Sequence, residues 1–342
     1  MPKVSILVPV YNVENYLKDC LDSLICQTLN DIEIICINDG STDSSLKIIQ
    51  EYSQKDERIK IVDKPNSGYG DSMNKGLEAA EGEYVGILES DDFTEPRMFE
   101  DLYNLAKNND ADMVISDFYL YWTQKNKIKK VNSTSKYPNE KITNIMDTPL
   151  LLRNKTTIWS ALYKRELIFD NNIKFLSTPG ASYQDTSFRI KTLCMAEKIV
   201  CTRKAYTHYR YDNPNSSIKS DEKVFAICKE YDELTDFMNN NPETKKYANS
   251  EKLINQWNGY MWNFKRIEER YRDEFLQKFY EDFKGFYDSG EIDAHFFSKV
   301  NKKLFYLLLN NQQKFSEKCI RHKINIFKDL SKMLIRLNPF KN

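Results

Sequence analysis

The sequence predicts an α/β protein built on a mostly parallel, doubly wound sheet, followed by an α-helical C-terminal region. Three observations support this prediction. Short apolar runs alternate with apolar residues at helical spacing over the first 120 positions, polar motifs follow three of those runs, and the pattern becomes almost wholly helical from about residue 221. Repeated strand–helix units favour parallel strands, which bind ligands beyond their carboxyl ends.

The first 120 residues divide into five strands and four helices. Each predicted strand is a short apolar run, and each helix has apolar residues three or four positions apart. The predicted strands span residues 4–10, 33–37, 59–62, 84–88 and 113–116, and the helices span about 16–25, 44–53, 71–80 and 96–108.

A second, less regular segment follows. Residues 122–147 are polar and rich in lysine and asparagine, which predicts an irregular excursion or an edge hairpin. Beyond them the sequence predicts a helical run over 162–169, a loop at 177–180, a helix over 183–196 and strands at 199–201 and 205–211. We therefore expect an α/β domain over 1–220, with halves at 1–120 and 155–215, and a helical region over 221–342.

The composition excludes several classes of protein. Lysine plus arginine equals aspartate plus glutamate at 50 each in 342 residues, so the charge does not indicate a nucleic-acid partner. The seven cysteines include no Cys-x-x-Cys pair, which argues against a disulfide framework and a zinc site. No apolar segment reaches the length of a signal peptide or a membrane span. We expect a cytoplasmic protein.

Three acids follow the predicted strand at 84–88 within four positions. Glu89, Asp91 and Asp92 would repel one another at a strand end unless a positive charge lay between them. Oxygen ligands suit Mg²⁺ or Mn²⁺, and such ions keep positions open for phosphate oxygens. The alternative is an exposed acidic turn before the next helix.

Three motifs together resemble those of family 2 glycosyltransferases with the GT-A fold, a Rossmann-like sheet. They are VSILVPVYN at 4–12, INDGSTD at 37–43 and LESDD at 88–92, and they match in order and spacing. The resemblance is strong over about 120 residues and looser over 155–215. It implies an inverting transfer of a sugar from a nucleotide diphosphate, usually UDP, to a glycan hydroxyl in surface polysaccharide or lipooligosaccharide synthesis, with Mn²⁺ or Mg²⁺ bridging the diphosphate.

The first two motifs supply the expected nucleotide pocket. Tyr11 is placed to stack on the base, although it could equally pack on a neighbouring helix. Asp39 could accept the N3–H of uracil, or it could form an Asx turn before Gly40. By resemblance, Pro9 lines the same pocket as Asp39.

A glycine-bearing loop at 67–76 enters the third helix. Backbone amides there, including that of Gly68, would suit phosphate or ribose oxygens, and the alternative is a simple turn. Many family members carry arginine where this chain has Met73. The resemblance therefore implies that the diphosphate depends more on the metal, or on Lys75 if that side chain points inward.

The metal site is expected at the acid cluster. Glu89 stands where the family has aspartate, and its longer side chain suits a supporting role. Asp91 and Asp92 are the candidate ligands; adjacent residues point in different directions, so one would bind the cation and the other ribose, water or backbone. His208 could complete the metal shell or be a hydrogen-bonded structural histidine. Arg210, with the loop after it, could cover the diphosphate.

The acceptor side is expected in the second segment. By resemblance the general base lies at the start of a helix, often in a Glu-Asp pair, which here reads Gln184-Asp185. Asp185 is the candidate base, with a helix-capping acid as the alternative. We expect Gln184 to line the acceptor site and Trp159 to stack on an acceptor sugar, unless Trp159 simply packs in the core.

The C-terminal residues 314–341 form a basic amphipathic pattern. Such a helix can lie on the inner face of the cytoplasmic membrane, or it can dock on the protein with its charges in water. Two rival functions remain. A sugar nucleotidyltransferase would need a glycine-rich basic loop after the first strand, which is absent here, and a catalytically silent glycan- or nucleotide-binding module would show no turnover.

Overall fold

The computed structural model describes residues 1–153, 157–213 and 224–320. Its first half confirms the predicted alternation, with bounds that differ by a few residues. The elements are β1 Val4–Val10, α1 Leu17–Ile25, β2 Ile32–Asp39, α2 Ser45–Ser53, β3 Ile59–Lys64, α3 Tyr69–Ala79, β4 Tyr84–Ile87, β5 Phe93–Thr94, α4 Met98–Asn109 and β6 Met113–Trp122. The last strand continues six residues beyond its predicted end.

The second segment contains β7 Lys127–Val131, β8 Ile142–Thr143, β9 Ala161–Lys164, α5 Arg165–Asp170, α6 Gln184–Met195 and β10 Ile199–Arg210. The predicted helical run at 162–169 is wrong in its first part, which is strand β9. This strand inserts antiparallel between β4 and β6, where both of its faces are covered, and a short buried strand has no distinctive periodicity. The edge hairpin is present, because β7 pairs antiparallel with β6.

The sheet has the order β3-β2-β1-β4-β9-β6-β10-β5. Pairing is parallel among β3, β2, β1 and β4 and between β6 and β10, while β9 is antiparallel to both of its neighbours. One direction is therefore shared by six strands, which confirms the mostly parallel sheet; they are β1, β2, β3, β4, β6 and β10. Their carboxyl ends, including those of β1, β2, β4 and β10, lie at one edge.

Helices pack closely on this sheet. Every residue of β1 is buried, and α1 buries Leu17, Leu21 and Leu24 on one face. Gly86 in β4 meets the ring of Phe99 in α4, where an added Cβ would lie 2.5 Å from a ring carbon. This close approach sets the sheet against α4 directly beneath the acid cluster.

The C-terminal part is helical, with α7 Ala226–Asn240, α8 Pro242–Arg266, α9 Arg272–Asp288 and α10 Lys299–Asn310. The described chain falls into two compact units: residues up to 213 with Lys229–Ala248, and residues 224–228 with those from 249 on. In the second unit, rings of Phe279, Phe283 and Phe305 surround buried Trp257.

Two predictions fall partly outside the described residues: the domain boundary at 220 and most of the basic segment 314–341. Within the described ranges, no helix is both long and apolar enough to cross a membrane.

Candidate active site

Tyr11 follows β1 in a turn that is hydrogen-bonded to the turn after β2. Asn12 has φ of 49°, and its Oδ1 accepts hydrogen bonds from the N–H (2.8 Å) and the hydroxyl (3.3 Å) of Thr42, after β2. The Asn12 N–H donates to Ser41 Oγ at 3.2 Å. Tyr11 is 52% exposed, so its ring is open to a ligand, whereas Pro9 is buried within β1.

Asp39, at the end of β2, is buried and holds the loop that precedes α3. Its Oδ1 accepts hydrogen bonds from Lys64 Nζ at 2.5 Å and from the N–H of Ser67 at 2.9 Å, and its Oδ2 accepts one from the N–H of Gly68 at 3.0 Å. The Asx-type contact of this turn is made by Asn38, whose Oδ1 accepts from the N–H of Ser41 at 3.3 Å. Asp39 therefore links two loops at the sheet edge.

Gly68 is required by a close approach of backbone. Its φ is 95°, and an added Cβ would lie 2.9 Å from both Thr178 O and Gly180 N. Its N–H is bonded to Asp39, and the next N–H, of Tyr69, donates to Gly180 O at 3.1 Å. These amides have protein partners in this conformation, so the predicted contact of Gly68 with phosphate or ribose oxygens stays a prediction that would require those bonds to open. Lys75 pairs with exposed Glu78.

The loop that packs against Gly68 leads into α6, whose first residue is Gln184. Gln184 is buried, and its Nε2 donates to Thr178 Oγ1 at 2.8 Å and to Gly180 O at 3.1 Å. These bonds use the amide of Gln184 to shape its own loop, and its expected place in the acceptor site stays a prediction.

Asp185 lies in the first turn of α6. Burial raises the pKa of its carboxyl to about 6, against hydrogen bonds from its own N–H and from the N–H and hydroxyl of Thr186, which lower it. A general base works best with a pKa near the working pH, so this environment suits a carboxylate that accepts a proton.

A second buried carboxyl, Glu230 of α7, contacts the same turn. Its Oε2 accepts a hydrogen bond from the N–H of Ser187 at 3.2 Å, and its Oε1 has no partner in the structure. Burial raises the pKa of Glu230 to about 8, and the charge of Asp185 contributes to the rise. Glu230 was missed by sequence reasoning, because it lies 43 positions downstream of Ser187 in an ordinary amphipathic helix.

The acid cluster after β4 contains two carboxyls with raised pKa values. Glu89 accepts a hydrogen bond from the hydroxyl of Tyr69 at 2.7 Å, and burial, with the charges of Asp91 and Asp185, raises its pKa to about 8. Asp92 is fully buried; burial and the charge of Asp91 raise its pKa well above the usual range.

Asp91 and Asp92 differ in access. Asp91 is only partly buried, and its Oδ2 accepts a hydrogen bond from Asn213 Nδ2 at 2.7 Å. One oxygen of Asp92 accepts the backbone N–H of Arg210 at 2.7 Å, and the other has no partner in the structure. Asp91 is thus the acid that a ligand can reach.

Arg210 is buried and fixes the backbone of the cluster. Its Nε donates to the carbonyl of Asp91 at 2.8 Å, and its other nitrogens donate to Thr123 Oγ1 at 2.7 Å and to Asp19 Oδ2 at 3.0 Å. These bonds occupy the guanidinium, which corrects our expectation that it covers a diphosphate. The loop after it, from residue 214, lies outside the described residues.

His208 is held within an aromatic stack. Its ring lies between Phe93, 4.5 Å away, and Tyr119, 4.8 Å away, and its Nε2 is 2.8 Å from Glu95 Oε1. Across the described parts of the chain, no three His, Cys, Asp or Glu side chains converge so that they could hold a metal ion. This geometry favours the structural alternative for His208.

Trp159 and Tyr209 form a stacked pair beside the acids. Trp159 is only 8% exposed, with its ring 5.3 Å from that of Tyr209 at an interplanar angle of 5°, so the core-packing alternative fits it better than acceptor stacking. Burial raises the pKa of Tyr209 to about 12, and four negative charges add to this, those of Asp92, Asp91, Glu89 and Asp185. The acids after β4 and at the start of α6 therefore lie near one tyrosine, which sequence reasoning did not single out.

Comparisons of sequence relate the chain to glycosyltransferases. Residues 5–168 match the model of glycosyl transferase family 2. The chain is 35% identical over 194 residues to an uncharacterized glycosyltransferase of Haemophilus influenzae, covering 56% of this chain and 72% of that one. It is 34% identical to the uncharacterized glycosyltransferase EpsJ of Bacillus subtilis, covering 63% of each. It is 32% identical to the poly(ribitol-phosphate) beta-glucosyltransferase of Bacillus spizizenii, covering 58% of this chain and 30% of that one.

The chain thus spans less than two thirds of the length of some curated relatives that it matches, including EpsJ. Among solved structures, S. aureus TarS 1-349 in complex with UDP-GlcNAc aligns with a TM-score of 0.71 at 18% identity, covering 94% of this chain and 92% of that one. This likeness supports the same fold.

Proposed function

The chain belongs to glycosyltransferase family 2 and is a transferase, and from that premise we propose that it moves a sugar from a UDP-sugar to a glycan hydroxyl, with inversion and with Mn²⁺ or Mg²⁺. The observation that carries the proposal is the convergence of Asp185 with Glu89, Asp91 and Asp92 around Tyr209. The acceptor would belong to surface-polysaccharide or lipooligosaccharide synthesis, at the cytoplasmic side of the membrane. The poly(ribitol-phosphate) specificity of one relative supports a cell-surface acceptor.

The donor base would bind between Tyr11 and Asp39. The exposed Tyr11 ring offers a flat apolar face, and base–aromatic stacking typically contributes about 1–3 kcal/mol. A carboxylate has about four acceptor positions, of which Lys64, Ser67 and Gly68 use three on Asp39. The remaining position can accept the N3–H of uracil, and the UDP-GlcNAc complex of a protein with the same fold supports this choice of nucleotide.

A divalent cation fits the acid cluster on electrostatic grounds. Partly buried Glu89 and fully buried Asp92 have raised pKa values, and one oxygen of Asp92 has no partner among the described residues, so a cation would favour the ionised form of these acids. We assign direct coordination to Asp91, the accessible acid, and assign Asp92 to holding the backbone of Arg210. When bound, the cation would neutralise charge on the departing diphosphate. A ligand role for His208 stays a prediction; its Nε2 contacts Glu95, and its Nδ1 has no hydrogen-bond partner among the described residues.

Asp185 would take the proton of the acceptor hydroxyl. As the acceptor oxygen bonds to the anomeric carbon on the face opposite the diphosphate, the bond to the diphosphate breaks and the hydroxyl proton passes to the carboxylate. A pKa of about 6 leaves this carboxyl ionised at neutral pH and still basic enough to accept the proton. Gln184 and Trp159 would support the acceptor side indirectly, through the loop and the stack that they form.

The test is a donor-consumption screen with UDP-, GDP- and dTDP-sugars, each with and without Mn²⁺. We expect consumption of a UDP-sugar that depends on the cation. Binding of UDP without any turnover, with a range of glycan acceptors supplied, would favour the silent binding module. Failure to bind or consume any donor would contradict the proposal.

A further inference from the structure

Three strand segments extend the sheet beyond the catalytic acids. The end of β10 pairs with β6, which pairs with β7 on its other side; Tyr209 lies opposite Leu120, and Leu120 opposite Lys129. Successive side chains of a strand point to opposite faces, and residues opposite each other share a face. One face therefore carries the set that we name the aromatic–basic face: Tyr209, Tyr211, Leu120, Trp122, Lys127 and Lys129.

The two faces of this small sheet differ in what covers them. On the other face, the rings of His208 and Tyr119 stack on each other, and the Arg210 guanidinium lies 5.3 Å from the ring of Tyr121. On the aromatic–basic face, Tyr211 is 60% exposed, and both Lys127 and Lys129 are exposed. The first face is packed at β10 and β6 but exposes Ile128 of β7, whereas the aromatic–basic face is packed by Trp159 at Tyr209 and is exposed at Tyr211, Lys127 and Lys129.

The open face is ordered by contacts among its own side chains. The rings of Trp122 and Tyr211 are 5.3 Å apart, and Lys127 Nζ lies 5.3 Å from the centre of the Trp122 ring. The face is continuous with the catalytic acids through Tyr209, whose hydroxyl group feels the charges of Asp185 and of the β4 cluster. A chain bound along it would reach the candidate base.

The segment that contains β7 carries charge of one sign, although Asp212 lies at its start and accepts hydrogen bonds from the N–H groups of Thr123 and Gln124. Residues 123–136 contain five lysines and no aspartate or glutamate. Aromatic rings suit the apolar faces of sugar rings, and exposed ammonium groups attract phosphate or carboxylate groups. Lysines on an edge strand also discourage pairing with other chains, but that role does not require Trp122 and Tyr211 on the same face.

We propose that the aromatic–basic face binds the acceptor, and that the acceptor is an anionic glycan. This inference rests on the proposed glycosyl transfer and specifies the substrate class of the same site. Tyr211 and Trp122 contact sugar rings, while Lys127 and Lys129 neutralise acidic groups along the chain and direct its end toward Asp185.

The test compares two charge reversals of equal size in the full chain. Lys127→Glu with Lys129→Glu alters the face, and Lys136→Glu with Lys141→Glu alters exposed lysines of the same segment beyond β7. The probes are polygalacturonate, poly(ribitol phosphate), neutral dextran of similar length and vesicles containing anionic lipid. Binding is measured by titration at low and high salt, with UDP affinity measured on the same samples.

We expect the wild type to bind at least one anionic polymer more tightly than dextran, with affinity that falls as salt rises. The face variant should lose about tenfold in that affinity, equivalent to about 1.4 kcal/mol, and the control variant less than twofold. Tyr211→Ala should weaken the same binding, whereas Ile128→Ala, exposed on the opposite face, should not.

Several outcomes would overturn the inference. These are equal loss in both charge-reversed variants, dextran binding as tightly as the anionic polymers, no binding of either polymer, or binding of the anionic vesicles alone. UDP affinity distinguishes failure of the proposed function from failure of this inference. A wild type that fails to bind UDP contradicts the proposed function, whereas retained UDP binding without polymer binding contradicts only the anionic acceptor.

Discussion

The carboxylate of Asp39, in the expected donor pocket, and that of Asp185, in the first turn of α6, have opposite surroundings. Asp39 accepts three hydrogen bonds, from a lysine and two backbone N–H groups, all within residues 64–68. Asp185 is partly buried and Glu230 beside it is fully buried, and loss of hydration raises the pKa of each carboxyl. The difference shows that a carboxylate surrounded by donors serves as a fixed anchor, whereas one held by burial stays ready to accept a proton.

Replacing Asp185, the proposed base, should have the largest effect on activity. Asp185→Asn should lower kcat by about 10²–10⁴-fold, because the amide cannot accept the acceptor proton. UDP affinity should stay unchanged, since the proposed base contacts, Tyr11 and Asp39, lie at the ends of β1 and β2 and not in α6. Turnover and calorimetric UDP binding are the measurements, and a kcat within tenfold of the wild type would remove Asp185 as the base.

The buried carboxyl of α7 makes stability depend on pH. The folded pKa of Glu230, about 8, lies above its ordinary value of 4.5, so the native state keeps a proton that the unfolded chain releases. Its contribution to the free energy of unfolding therefore falls as pH rises from 4.5 to 8, by at most about 5 kcal/mol. Glu230→Gln should flatten this decline in denaturant titrations.

The matched control is Glu233→Gln, which removes a carboxyl from the same helix that pairs with Lys191 at 3.0 Å. It should leave the pH dependence of unfolding as in the wild type. If both variants flatten the decline equally, Glu230 is not its source.

The loop that Asp39 holds before α3, residues 64–68, is named here the anchor loop, and the stability of the protein should depend on its Gly68. Gly68→Ala would place a Cβ against Thr178 and Gly180 at a φ of 95°, and should destabilise the protein by about 2 kcal/mol. Gly285→Ala is the control, because Gly285 lies inside α9 with open space around it; this change should stabilise by about 0.5–1 kcal/mol. Thermal unfolding of both variants measures the pair, and equal melting shifts would contradict the close packing of the anchor loop.

The smallest expected effect concerns the exposed ring of Tyr11 after β1. Tyr11→Ala should weaken UDP binding about tenfold, near 1.4 kcal/mol, through loss of base stacking. Tyr11→Phe keeps the ring and should bind UDP as the wild type does. A Phe variant as weak as the Ala variant would show that the hydroxyl matters and not the ring.

Much of the first half could be predicted because its signals are local. Apolar periodicity located β1 to β4 and the helices between them, and the polar motifs at strand ends located Tyr11, Asp39 and the acid cluster. Strand β9 was mistaken for helix, because its covered position arises from insertion between β4 and β6, which the local pattern does not record.

Several side-chain roles could not be predicted, because each depends on a distant partner. Gln184 has an ordinary helix-start sequence, yet its amide is used by Thr178 and Gly180. Arg210 looks available from the sequence, but it donates to the carbonyl of Asp91, 119 positions earlier. No pattern in the sequence distinguishes Glu230, and its place beside the turn of Asp185 is evident only from its contact with Ser187.

The sequence by itself determined the parallel α/β architecture, the family motifs and the edge at which the polar groups gather, since these follow from residue spacing along short segments. The tertiary structure decided which of those groups are already satisfied and which are free to act, and thereby separated Asp91 from Asp92 and Asp185 from Gln184. The physical reason is that burial and hydrogen-bond saturation depend on segments far apart in the chain, such as Asn74 and Phe175, which bond to each other across 101 positions.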